Sequence, residues 1–308
     1  MAAGKLRIIC GPTAAGKSGI ALELAESHGA AILSADSRQV YEGFDIGTAK
    51  PTAAERDPVP HYGIDVVAPT ERYSAARWAA DAERWLDVAR GAKRVPVIVG
   101  GTGLYIKALV EPLASTPGLD DHRRGELAAE LATRPVAELR RWCEELDPAR
   151  ARLGRTQLLR AIETALLSGE RLSDHHAAHR EAKGASSPSY DPAYLVVDPG
   201  VPLVNRIEAR VDSMIDRGWR AEVEALARTV PAHAPAWKAS GYEVMRQVAL
   251  GAMDLSTARQ RIIIETRQYA KRQRTWFRHQ LPGDAVTRVN PDDPAVCSVA
   301  REWWERAE

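Results

Sequence analysis

The chain has little cysteine: Cys10, Cys143 and Cys297 lie far apart, and no two form a CxxC pair. That spacing argues against a zinc site and a disulfide framework, and fits a reducing compartment. An excess of one charge is also lacking. With 42 basic and 41 acidic side chains the formal net charge is +1, so no global field demands a polyanionic partner. Long apolar runs are absent: none approaches the roughly 20 residues that cross a bilayer. Met1–Lys5 leads straight into a strand-like segment with no apolar signal region, and a soluble, cytoplasmic protein is expected. What is present is a hydrophobic fraction of 45% over 308 residues. That is enough for one large domain, or for a core domain carrying a smaller insert.

Four short apolar runs read as buried strands: Leu6–Cys10, Ala30–Ala35, Val95–Val99 and Tyr194–Val197. Helical patterns separate several of them, which implies a parallel sheet covered on both faces. Ligands of such sheets bind at the carboxyl ends of the strands. The first three runs end in Gly11 onward, in Asp36–Gln39 and in Gly100–Gly103, and these endings are expected to converge. Residues 119–183 differ. They are rich in Ala, Arg, Glu and Leu, with helices expected over Arg123–Thr133, Val136–Leu146 and Thr156–Leu167. The expectation is an α/β fold, a P-loop NTPase-like parallel sheet in 1–118 and 184–308, with an all-helical insertion over 119–183. Gly184–Ser189 reads as a flexible return linker. Two long helical patterns follow, about Leu203–Thr229 and Ser256–Gln280.

Gly11-Pro-Thr-Ala-Ala-Gly-Lys-Ser18 satisfies G-x-x-x-x-G-K-[ST]. A strand precedes it and an amphipathic helix, Lys17–Ser27, follows, as a phosphate cradle requires. The glycines let backbone N–H groups face phosphate oxygens at the positive end of the helix dipole. Lys17 neutralises the terminal phosphate in such a loop, and Ser18 supplies a hydroxyl to Mg²⁺. The motif identifies phosphate and leaves the reaction open; alone it favours a kinase.

Asp36 stands where its carboxylate can face that loop. It could bind Mg²⁺ through water or accept a substrate proton, and it could equally be a helix N-cap. Arg38 and Gln39 add a cation and an amide for a phosphate or a base edge. Thr102, set among glycines, could donate to a phosphate oxygen. Lys50, in Asp45-Ile-Gly-Thr-Ala-Lys-Pro51, is a phosphate or nucleic-acid contact or a solvated loop lysine.

The last long helix holds seven basic residues from Arg259 to Arg278, with Glu265 as its only acid. Arg267, Lys271, Arg274 and Arg278 fall on one face, beside a face carrying Tyr269 and Trp276. Cations for phosphates next to flat rings suit a nucleic-acid surface. The competing reading is a solvated basic face over core aromatics.

Together these segments resemble the bacterial tRNA dimethylallyltransferases. The resemblance is carried by Gly11–Ser18, Ser34–Tyr41, Asp45–Pro51, Val99–Ile106, Thr266–Gln273 and Thr275–Arg278, in that family's order along nearly the whole chain. It implies transfer of a dimethylallyl group from dimethylallyl diphosphate to N6 of the adenosine 3′ of the anticodon, in tRNAs reading codons that begin with U. By that analogy Asp36 is the general base and Thr102 lies at the reacting centre. Gly11, Thr13, Ala14, Ala15, Gly16, Lys17 and Ser18 hold the diphosphate, with Arg206 and Arg210 as further contacts. Mg²⁺ is the expected cofactor, on Ser18 and, through water, on Asp36. Asp36, Ser37, Arg38 and Gln39 would meet the target nucleotide; Arg124, Gln157, Leu158, Leu159 and Arg160 would meet the tRNA elsewhere. A monomer is expected. His61-Tyr-Gly-Ile-Asp65 departs from the usual His-His-Leu-Ile-Asp, and Gly241-Tyr-Glu-Val-Met245 lacks the usual charged pair. The alternatives carried forward are a P-loop kinase of a small molecule and an RNA-binding NTPase.

Overall fold

The computed structural model describes residues 4–111, 119–183 and 190–307. These divide into two compact units, one made of 4–111 with 190–307 and the other of 119–183. The expected linker Gly184–Ser189 lies outside the described residues.

The larger unit is built on one parallel sheet. Its strands are β1 (Gly4–Cys10), β2 (Ala30–Ser34), β3 (His61–Tyr62), β4 (Val95–Gly100), β5 (Tyr190–Val197) and β6 (Val286–Val289). They lie in the order β3-β2-β4-β1-β5-β6, and every pairing is parallel. Ile8, Ile9 and Leu33 are fully buried, as central strands covered on both faces require. Helices α1 (Lys17–Ser27), α2 (Ala53–Arg56), α3 (Ala75–Gly91) and α4 (Gly103–Val110) precede the second unit. After β5 come α9 (Leu203–Asp216), α10 (Trp219–Thr229), α11 (Tyr242–Ala249), α12 (Leu255–His279) and α13 (Val296–Arg306).

The smaller unit is all-helical: α5 (Asp121–Ala132), α6 (Val136–Leu146), α7 (Arg155–Ser168) and α8 (Leu172–Lys183). Leu131, Leu139, Cys143, Leu158 and Ile162 form its core. Arg155 ties the end of α5 to the start of α7 by donating to the carbonyls of Leu131, Ala132 and Arg134, acceptors that a helix end leaves open.

The chain leaves β1 for β2, skips the position later filled by β4, and crosses to the other side for β5. The reversal places a crevice at the carboxyl ends of β1 and β4, where open α/β sheets bind ligands. Two expectations are corrected. Leu203–Thr229 is two helices, broken where Gly218 takes φ 90, a conformation that glycine adopts without strain. The sheet also gains β3 and β6, of two and four residues.

Candidate active site

The phosphate loop leaves the centre of the sheet. Gly11 has φ 147, and a Cβ there would sit 2.2 Å from the Val197 carbonyl oxygen, so only glycine lets the loop pass β5. Gly16, at φ 88, caps α1 and turns the helix N-terminus toward the crevice. Lys17 donates from Nζ to the Pro12 carbonyl at 2.7 Å, folding back along the loop. Burial, then the Arg210 charge, lowers the Lys17 ammonium to about 8 against the pull of Asp36. The Arg210 guanidinium is lowered by burial too, with Asp36 opposing. Lys17 and Arg210, both half-buried, thus share a cavity with the Asp36 carboxylate.

Asp36 follows β2, and its Oδ1 accepts the Arg38 N–H at 2.8 Å. The next strand end is joined to it. Ser37 donates its N–H to the Thr102 hydroxyl oxygen at 3.0 Å, and Thr102 donates its own N–H to the Ala35 carbonyl at 3.1 Å. Gly100 makes this approach possible, since a Cβ there would lie 2.2 Å from the Ala35 oxygen. The Tyr269 hydroxyl is pushed up to about 12, first by burial and then by the Asp36 charge, while Arg38 and a hydrogen bond with Thr102 pull it down. The three strand endings therefore converge as expected.

These groups share a cavity of about 340 Å³ lined by Lys17, Ser18, Asp36, Arg38, Arg210 and Tyr269 at its polar part, with Val211, Met214, Trp219 and Ile262 among its apolar walls. Trp219 seals against Gly47, whose Cβ would fall 2.2 Å from the indole. The Asp45–Pro51 loop is held from two sides. Glu222 accepts the Ile46 N–H at 2.7 Å and the Tyr242 hydroxyl at 2.6 Å. Gln39 accepts from Ser34 and donates to the carbonyls of Thr48 and Ala49, so its amide is committed within the protein. Lys50 is buried and donates to the Tyr41 carbonyl and to Asp45, both at 2.6 Å, and to Asp65. Of its two readings neither holds: it is a buried knot that closes the loop.

A model for isopentenyl transferase matches residues 4–59, and a model for IPP transferase matches residues 39–280. The chain belongs to the IPP transferase family. It is 43% identical over 299 residues to a tRNA dimethylallyltransferase of Halorhodospira halophila, covering 94% of each chain. It is 40% identical over 292 residues to one from Cyanothece sp., covering 94% and 93%. A solved tRNA delta(2)-isopentenylpyrophosphate transferase of Staphylococcus epidermidis superposes with a TM-score of 0.69 at 30% identity, covering 98% of both chains. A eukaryotic dimethylallyltransferase acting on tRNA shares the fold, with a TM-score of 0.76 at 22% identity, over 99% of this chain and 78% of that one.

Within this family fold the remaining expected residues are placed as follows. Arg206 ion-pairs with Asp292 and lies next to Gly16 of the loop. On α12, Arg267 pairs with Glu208 and Arg274 with Asp198, while Arg259 holds Asp212 through two bonds of 2.5 and 2.8 Å. The acids that α12 lacks in its own sequence come from α9 and from the turn after β5, which corrects the premise of an uncompensated stripe. Lys271 and Arg278 are exposed and have no ion-pair partner among the described residues. In the helical unit Arg124 pairs with Glu163 at 2.9 Å, and burial, then Arg124 and Arg150, lower the Arg160 guanidinium. Gln157 caps the Gly154 N–H at 3.2 Å. Leu158 is fully buried and Leu159 packs on the same core. Sequence reasoning read Tyr269 as a flat ring beside the basic stripe, whereas it lines the cavity, and it gave Gln273 no role; their spacing within Thr266–Gln273 was the available signal.

Proposed function

We propose that this chain transfers the dimethylallyl group of dimethylallyl diphosphate to N6 of the adenosine immediately 3′ of the anticodon, in tRNAs reading codons that begin with U. One observation carries the reading. The Asp36 carboxylate lines one cavity with Lys17 and Arg210 and lies against the strand end that bears Thr102. The arrangement offers cations for a leaving diphosphate and a proton acceptor beside them.

The adenine amine is a weak nucleophile because its lone pair is delocalised into the ring. As its nitrogen bonds to the first prenyl carbon, the bond from that carbon to the diphosphate oxygen breaks. The amine proton passes to Asp36, an assistance worth about 10²–10⁴ in rate. Lys17, Arg210 and the loop N–H groups take up charge that grows on the diphosphate, where donors in place before the reaction are most effective. Arg206 reaches the same loop from α9. Thr102 and Ser37 hold the acceptor side, and the apolar walls at Val211, Met214 and Ile262 suit a short prenyl chain.

Ser18 and Asp36 present oxygen donors to one cavity, which fits Mg²⁺, an ion that keeps several waters and binds through one carboxylate and substrate phosphates. When bound it supplies further neutralisation of the diphosphate. The target base has to leave its stack to reach this depth. Lys271 and Arg278, with Arg267 and Arg274 behind them, and Arg124, Gln157 and Arg160 on the helical unit, would hold the RNA backbone. Dimethylallyl diphosphate and a tRNA anticodon stem-loop are thus the partners, and the chain acts as a monomer.

The test supplies unmodified tRNA and Mg²⁺ with either labelled dimethylallyl diphosphate or labelled ATP. Label entering tRNA from the prenyl donor alone supports the reading. ATP turnover without prenylation would instead mark a kinase or an RNA-binding NTPase.

A further inference from the structure

Gln273 is buried on α12, and both ends of its amide reach across the fold. Its Oε1 accepts the Thr13 N–H of the phosphate loop at 2.8 Å. Its Nε2 donates to the Gly101 carbonyl at 2.8 Å. One side chain therefore bridges the diphosphate cradle and the strand end that carries Thr102. The fit is close, since a Cβ on Gly101 would lie 2.3 Å from that Nε2.

Its neighbours along the helix act on the same segment. Tyr269, four residues before, lines the same cavity as Gly101. Trp276, three residues after, lies on Gly103, where a Cβ would meet the indole at 2.4 Å. That spacing puts the three on one helix face, and Gln273 and Trp276 close on Gly101 and Gly103, on either side of Thr102.

The loop needs such a hold. Ala14, next to Thr13, has φ 61, a left-handed conformation that costs an alanine about 1–2 kcal/mol and persists only when its surroundings impose it. Gln273 takes the one N–H that fixes the preceding peptide. Lys17 secures the carbonyl end of that same peptide, at Pro12.

We propose that Gln273 is a positioning residue for prenyl transfer: it holds the phosphate loop in its binding shape and in register with Thr102. This rests on the prenyl-transfer reading of the site. Gln273 touches no reacting atom; it acts through Thr13 and Gly101. A role confined to fold stability would lower the melting temperature and leave the kinetic constants of the folded enzyme alone. A positioning role changes the response to the diphosphate substrate specifically.

The experiment compares the full-length wild-type chain with Gln273→Met, similar in volume but unable to make either bond, and with Gly101→Ala, which keeps Gln273 and displaces its amide. The dissociation constant of inorganic pyrophosphate is measured by calorimetry, and KM and kcat with dimethylallyl diphosphate and tRNA. Both variants should bind pyrophosphate about tenfold more weakly, the worth of one well-placed hydrogen bond. KM for dimethylallyl diphosphate should rise by a similar factor and KM for tRNA by less than about twofold. Wild-type pyrophosphate affinity in the variants, or a loss confined to kcat or to tRNA, would overturn the proposal.

Residue-resolved hydrogen exchange on the wild type covers the case in which neither variant folds. The Thr13 amide, bonded to a buried acceptor, should exchange more slowly than the other N–H groups of Gly11–Ser18; fast exchange at Thr13 overturns the proposal. A wild type that binds pyrophosphate through this loop and transfers no prenyl group would sink the reaction while leaving the positioning role intact.

Discussion

Ser37 donates its backbone N–H to the Thr102 hydroxyl oxygen over 3.0 Å, fastening the end of β2 to the end of β4 beside the cavity. The bond sets how far Asp36, one residue earlier, stands from the strand end opposite. Thr102→Val keeps the shape and deletes the acceptor, leaving the Ser37 N–H part-buried and unpaired at a cost of about 1–3 kcal/mol. Transfer should fall about tenfold or more by that arithmetic. Thr102→Ser should retain most of it. Single-turnover rates on a common tRNA decide, and equal losses in both variants would remove the hydroxyl from the account.

Lys17 gives a pH dependence of definite sign. Its ammonium is lowered to about 8 in the folded chain, from an ordinary lysine value of 10.5. Below about pH 8 it is charged, and diphosphate affinity should be at its highest there. Affinity should fall as pH rises through 8, by up to tenfold per unit. The unliganded fold should respond oppositely. Between about pH 8 and 10.5 the unfolded chain holds the extra proton, so this group adds stability as pH rises. Pyrophosphate titrations across pH 7 to 9.5 test the first part, with Lys17→Arg as the variant in which the fall should vanish.

Lys50 is predicted to matter for stability before it matters for chemistry. Lys50→Met leaves Asp45, Asp65 and the Tyr41 carbonyl without their shared donor. The lysine is buried, and its carboxylate partners are partly exposed. A loss of about 2 kcal/mol is expected, below that of a fully buried pair. Urea unfolding measures it, and an unchanged midpoint would show that the loop closes without this knot.

Lys271 and Arg278, exposed on α12 and without an ion-pair partner among the described residues, should carry more of the salt dependence of RNA binding than the paired cations. Lys271→Ala and Arg278→Ala should each reduce the slope of log affinity against log salt by about 0.7. Arg259→Ala should change it little and destabilise the fold instead, because its charge is already taken by Asp212. Binding to an anticodon stem-loop at several salt concentrations separates the two classes.

The elements legible in the sequence were those whose cause is local. Gly11–Ser18, the apolar strand runs and the alternation of strand with helix all sit within short windows, and they fix the sheet and the convergence of its first three endings. What stayed hidden depends on partners distant in the chain. Nothing near Gln273 announces that its amide meets Thr13 and Gly101. Nothing near Lys50 shows that Tyr41 and Asp65 close around it. The cations of α12 read as unpaired because Asp198, Glu208 and Asp212 lie about 50 to 80 residues earlier. β3 and β6 were missed for a different reason: two and four residues carry no readable period. The break in Leu203–Thr229 could have been read, since Gly218 stands at it.

The most direct measurement is the identity of the product. Unmodified tRNA is incubated with the chain, Mg²⁺ and dimethylallyl diphosphate, then digested to nucleosides and analysed by mass spectrometry. Wild type should give N6-(dimethylallyl)adenosine from the position 3′ of the anticodon. Asp36→Asn should bind the same tRNA within about twofold and form that nucleoside about 10²–10⁴ times more slowly. Absence of the modified nucleoside with wild type, or full activity in Asp36→Asn, would contradict the account.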